Sequence, residues 1–118
     1  MRPSAPVRTA AFVVLAGVAG AGGWFAYRAS QVPDYAEVRA IVDRHCIGCH
    51  AEETTVPAFP VAGGGLKLDT YEQMAASAQR MQLRVVVQRN MPMLNKTGMT
   101  DEERAVVDAW VAAGAPGP

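Results

Sequence analysis

The sequence predicts an all-α protein, with one N-terminal transmembrane helix ahead of a small helical domain. Three observations carry this. Apolar residues recur at helical spacing in segments with recognisable caps. An uncharged stretch near the N-terminus is long enough to span a bilayer. No segment of the 118 residues makes a convincing strand.

The first element is the membrane segment. Arg2 and Arg8 precede an uncharged run from Thr9 to Tyr27, rich in Ala, Gly, Val, Phe and Leu, and Arg28 closes it. About 18 apolar residues is near the minimum for a spanning helix and exceeds the usual signal-peptide core. Trp24, Phe25 and Tyr27 stand at its far end, where amphipathic rings favour the membrane–water interface. Residues 1–28 are therefore expected to be a signal-anchor with a cytoplasmic N-terminus, residues 29–33 a linker, and residues 34–118 an exported domain. A signal peptide cleaved at Ala19-Gly20-Ala21 is the alternative. Length and the aromatic belt favour the retained anchor.

Four helices are expected beyond it. Asp34, after Pro33, caps the first, whose apolar face is Tyr35, Val38, Ile41 and Val42. Two prolines and Gly63-Gly64-Gly65 make Ala51 to Gly65 a loop, long enough to expect a functional role. The second helix opens with Asp69-x-x-Glu72 and carries Tyr71 and Met74. The third runs from Gln79 to Arg89, with Met81 and the Val85–Val87 run towards the core. Thr100 and Glu103 form a capping box for the last, Asp101 and Glu102 suit its positive end, and Gly114 stops it. Its buried face is Val106, Val107, Trp110 and Val111.

Net charge is zero, yet three of the 11 basic residues (Arg2, Arg8, Arg28) flank the membrane run, leaving eight against 11 acidic groups. The exported part is mildly acidic, which argues against nucleic-acid binding. So short a domain buries a small core and needs a staple.

Cys46-Ile47-Gly48-Cys49-His50 supplies one, because Cys-x-x-Cys-His is the attachment signature of a c-type haem. Two thiols three positions apart on one helical turn can each join a vinyl group of one porphyrin, and the adjacent histidine then lies under the iron as proximal ligand. These are the only two cysteines. A thioredoxin-like site would want a βαβ pattern, and a zinc site would want four well-placed ligands, for which His45 immediately before Cys46 is poorly set. His45 is read instead as facing solvent or a haem propionate. Arg84 and Arg89 are propionate partners or members of solvated helix faces.

A methionine thioether as second axial ligand would raise the potential of the iron. Met74 and Met81, inside amphipathic helices, read as core filler. Met91 follows a helix and precedes Pro92, which biases it towards an extended conformation suited to crossing a haem face. Met91 is the favoured distal ligand. Met93 is an alternative in another register, and Met99 reads as packing against the last helix.

With these residues set out, a family likeness emerges. Residues 40–115 resemble a class I-like monohaem cytochrome c, on Cys46-x-x-Cys49-His50, Met91-Pro92, Trp110 and Gly114-Ala115. The resemblance implies a compact helical domain around one covalent haem c, with thioethers at Cys46 and Cys49, His50 as proximal and Met91 as distal iron ligand. Asn90-Met91-Pro92, Asn95-x-Thr97-Gly98-Met99-Thr100, Glu103-Arg104 and Trp110 to Ala115 are similar to the C-terminal cytochrome domain of bacterial membrane-bound urate hydroxylases. That family's cytochrome is fused to a multi-span membrane domain, whereas this sequence offers one span. The role implied is electron acceptance beside a separately encoded partner, not urate chemistry by the chain itself.

The expected function is single-electron transfer between a membrane or periplasmic dehydrogenase and an oxidase or soluble cytochrome. The expected location is the bacterial inner membrane, single-pass, with the cytochrome domain in the periplasm. A five-coordinate haem sensor or small-ligand binder is the alternative. No second attachment motif and no separate catalytic constellation points to an enzyme.

Overall fold

The computed structural model describes Gly23 and residues 31–118, so the anchor expected over 1–28 and the first residues of the linker fall outside the described residues. Among the described residues no helix is long and apolar enough to cross a membrane. These residues are helical and carry no strand.

Helix α1 spans Tyr35–His45. Asp34 caps it by accepting the Glu37 N–H at 2.8 Å, satisfying a donor that the first turn leaves open. Val38, Ile41, Val42 and His45 are buried along one face. A 3₁₀ turn at Gly63–Gly65 ends the following loop. Helix α2 spans Tyr71–Ala76 and begins one residue later than the Asp69 start read from the sequence, because Thr70 and Gln73 make the capping box. Asp69 instead accepts the Glu52 N–H at 2.9 Å.

Helix α3, Ala78–Met81, widens into a π-helical segment at Gln82–Val87. The Val85–Val87 run does not face the core as a unit. Val85 is buried, Val86 half-buried and Val87 exposed, since successive helical residues turn too far to share a face. The π segment ends before Arg89, which takes φ 54°. A 3₁₀ turn follows at Met93–Asn95.

Helix α4 spans Asp101–Ala112 behind the Thr100–Glu103 capping box. Gly114, at φ 89°, ends it. The Gly114 N–H donates to Val111 O and the Ala115 N–H to Trp110 O, which closes the helix as a Schellman motif. Helix α4 packs against the π segment, α1 and α3.

The core has two parts. Val38, Val42, Leu68, Met74, Ala78, Met81, Trp110 and Ala115 form one, with Cys46 and Ile47 packed on it. Ile41, Val85, Met99 and Val107 form the other, with Met91 packed on it. Helices α1 and α4 contribute to both. They therefore fix the Cys46 end and the Met91 end of the domain relative to each other.

Candidate functional site

Cys46 is the C-cap of α1, and the chain continues for one more turn. The Cys49 and His50 N–H groups both donate to Cys46 O, at 3.1 and 2.9 Å. Both cysteines are free and half-buried. Burial pushes the Cys46 thiol up to about 12; Arg39 opposes that shift, while Asp43 and Cys49 reinforce it.

The loop from 51 to 68 ties back onto this turn. Gly48 O accepts from Thr55 and Val56, Cys49 O from Gly63 at 2.8 Å, and His50 O from Leu68 at 2.8 Å. These ties use main-chain groups and leave both thiols free. The His50 Nδ1 lies 3.2 Å from Leu66 O. A carbonyl can only accept, so Nδ1 is the N–H donor, and Nε2 keeps its lone pair for a metal. Gly63 lies against the same ring, where an added Cβ would sit 3.2 Å from His50 Cε1. Leu66 and Gly63 were not singled out as site residues in the sequence. The triple glycine was the only signal for either.

His45 departs from the solvent- or propionate-facing expectation. Its side chain is 1% exposed. Nδ1 meets Thr97 Oγ1 at 2.7 Å, and Nε2 meets Glu103 Oε2 at 3.0 Å. The ring is thus committed to the α4 side and turned away from zinc-type ligation with the thiols. Among the described residues no three His, Cys, Asp or Glu side chains assemble into a metal-holding group.

The methionines sort by burial. Met74 and Met81 lie in the first core part and Met99 in the second, as packing residues. Met93 is exposed and Met91 half-buried. The Asn90 and Met91 N–H groups both donate to Arg84 O, at 3.1 and 3.2 Å, so the end of the π segment delivers Met91 directly. The Met91–Pro92 peptide is cis and Pro92 is buried. Arg89 pairs with Asp101. Arg104, noted in the sequence only within the Glu103-Arg104 likeness, has a role that was not read there. It is buried beneath this loop and donates to Met91 O at 2.8 Å.

The donor set fits a covalent haem: two free thiols on one turn, an imidazole oriented through its far nitrogen, and a glycine where a side chain would strike that ring. Comparison of the chain with protein-family models, curated proteins and solved structures finds no match.

Proposed function

We propose that this chain is a membrane-tethered c-type cytochrome that carries single electrons. Cys46 and Cys49 would hold the haem through thioethers, His50 Nε2 would be the proximal ligand and Met91 the distal one. The bound haem would supply the one-electron couple of its iron. The observation that carries the reading is the His50 Nδ1–Leu66 O contact at 3.2 Å beside two free thiols. A histidine anchored through one nitrogen presents the other in a fixed direction, as metal-binding histidines require.

The chain's residues would hold the ligands rather than perform bond chemistry. The loop wrapped on Gly48, Cys49 and His50 limits movement of the proximal side. Met91, fixed at its N–H and its carbonyl, supports the carrier over a five-coordinate ligand binder, which needs a vacant or loosely held distal position. A tether at residues 1–28 would keep the carrier near membrane partners and raise its effective concentration there. The likeness over residues 90–115 makes a separately encoded urate-oxidising membrane protein the first donor to test.

Optical spectra of the protein expressed with haem-attachment machinery test the proposal. The expected result is covalent low-spin haem with the far-red methionine-to-iron band, lost in Met91→Ala, and slow reaction with carbon monoxide. A high-spin haem that binds carbon monoxide rapidly and stoichiometrically at neutral pH would replace the carrier with the ligand binder.

A further inference from the structure

Arg104 is 4% exposed. Arginine is almost never that buried unless its charge is paired. Here the partners are all neutral oxygens. One terminal nitrogen donates to Val85 O at 2.5 Å and to Met91 O at 2.8 Å, and the other reaches Asn95 Oδ1 at 3.4 Å. None of its hydrogen bonds goes to a carboxylate, its coupling to Asp101 acting only through space, and its buried Nε has no hydrogen-bond partner. An apolar side chain of similar volume would avoid the desolvation that such a charge incurs. The arrangement is a poor device for stability alone.

Its three acceptors share one feature, since all lie on the stretch that carries Met91. Val85 is in the π segment before it and Asn95 in the turn after it. Asn95 extends the brace. Its Oδ1 accepts the Met99 N–H at 3.0 Å, and its Nδ2 donates to Met99 O at 3.2 Å. This stretch has little regular structure to hold it, with Arg89, Leu94 and Asn95 all at positive φ. A planar guanidinium whose hydrogen-bond directions are fixed suits that task better than an ammonium on a flexible stem.

We infer that Arg104 is the positioning residue for the distal ligand. Its fork holds the Met91 main chain at a fixed depth above Ile41, Val85, Met99 and Val107, so the thioether is presented to the iron and does not swing away. The inference rests on the His50/Met91 ligation proposed above.

The test uses the haem-loaded full chain as wild type, Arg104→Gln, Arg104→Lys and Met91→Ala, with covalent haem verified in each. The methionine-to-iron band and the carbon monoxide association rate are measured. Arg104→Gln is expected to weaken the band and speed carbon monoxide binding about tenfold, the population equivalent of ~1.4 kcal/mol of lost hydrogen bonding. Arg104→Lys, which keeps one donor direction, is expected to fall between. It decides the matter alone if Arg104→Gln does not accumulate folded. Folded variants with a lower Tm but the wild-type band and rate would overturn the inference, since a purely structural residue behaves that way. A wild-type holoprotein without the band, unchanged by Met91→Ala, would overturn the ligation itself and this inference with it.

Discussion

His45 Nε2 lies 3.0 Å from Glu103 Oε2, joining the last turn of α1 to the first turn of α4. His45 immediately precedes Cys46, and Glu103 immediately precedes Arg104. Two neighbouring residues of α4 therefore reach opposite ends of the candidate site. Glu103 holds the turn that bears the thiols, and Arg104 holds the loop that bears Met91. Thr97 completes the link by meeting the other ring nitrogen of His45. One helix start thus ties both the end of α1 before Cys46 and the loop that bears Met91.

That link makes Glu103 a pH-dependent contributor to stability. Burial opposes its ionisation, but the Thr100 N–H, His45 and Arg44 outweigh burial and hold its carboxyl below the ordinary 4.5. With a depressed folded-state value, its contribution is complete above 4.5 and drains away as pH falls through the lower folded value. Glu103→Gln is expected to cost about 1–2 kcal/mol at neutral pH, with the gap to wild type narrowing in acid. Urea unfolding at neutral and acid pH checks this. A gap that persists undiminished in acid would show that Glu103 is not the titrating group.

Gly63 is expected to be intolerant of a side chain for a reason specific to His50. A Cβ there would stand 3.2 Å from the imidazole Cε1, and Gly63 has no left-handed φ that would add backbone strain. The substitution therefore tests space alone. In Gly63→Val the thioethers should still form, because Cys46 and Cys49 are untouched. The ring should tilt off its Leu66 anchor and raise the high-spin fraction, with Gly63→Ala milder. Electron paramagnetic resonance of the oxidised holoprotein reads this, and signals identical to wild type would show that the loop does not set the ring.

Gly114 offers the opposite case, in which space is free and the backbone is not. Nothing lies within 4 Å of an added Cβ, but φ is 89°. Gly114→Val is expected to destabilise the domain by about 1–2 kcal/mol through left-handed strain alone. The loss falls on a shared end, because Trp110 Nε1 donates to Pro116 O at 2.9 Å and Tyr71 Oη donates to Ala115 O at 3.0 Å. Calorimetry of the holoprotein should show a lower Tm with an unaltered optical spectrum. A spectral change would place the helix end in contact with the site.

Local signals were legible in the sequence. Asp34, the Thr100–Glu103 box and Gly114 act through groups within a few residues, so their roles follow from spacing. The Cys46-x-x-Cys49-His50 pattern is local for the same reason. The contacts that organise the site are not. Leu66 lies 16 residues from His50, Thr97 52 from His45, and Glu103 58 from His45. No periodicity marks a carbonyl as a histidine's acceptor. In the sequence Arg104 stands out only within the Glu103-Arg104 likeness, and nothing local shows that its partners lie 9 to 19 residues away. Thr70 displaced Asp69 as cap because either side chain can accept an N–H, and the tertiary bond from Glu52 claimed the aspartate.

Cys46 gives a further prediction, in the chain without haem. Its thiol packs on the first core part, and burial, with Asp43 and Cys49 in support and Arg39 opposing, raises it from 9.0 to about 12. The thiolate is the nucleophile, so the folded chain should leave Cys46 less reactive at mildly alkaline pH than the same residue in urea. The sign for stability follows from the raised value. The contribution of the neutral thiol is complete below 9.0, the unfolded value, and is lost as pH rises towards 12, because the unfolded chain gives up that proton first. Iodoacetamide labelling resolved by peptide mass, with and without urea across alkaline pH, measures both effects. Equal labelling of Cys46 in the two states would mean that this thiol is not buried in the folded chain. The turn from Cys46 to His50 would then owe its order to the proposed haem and not have it in advance.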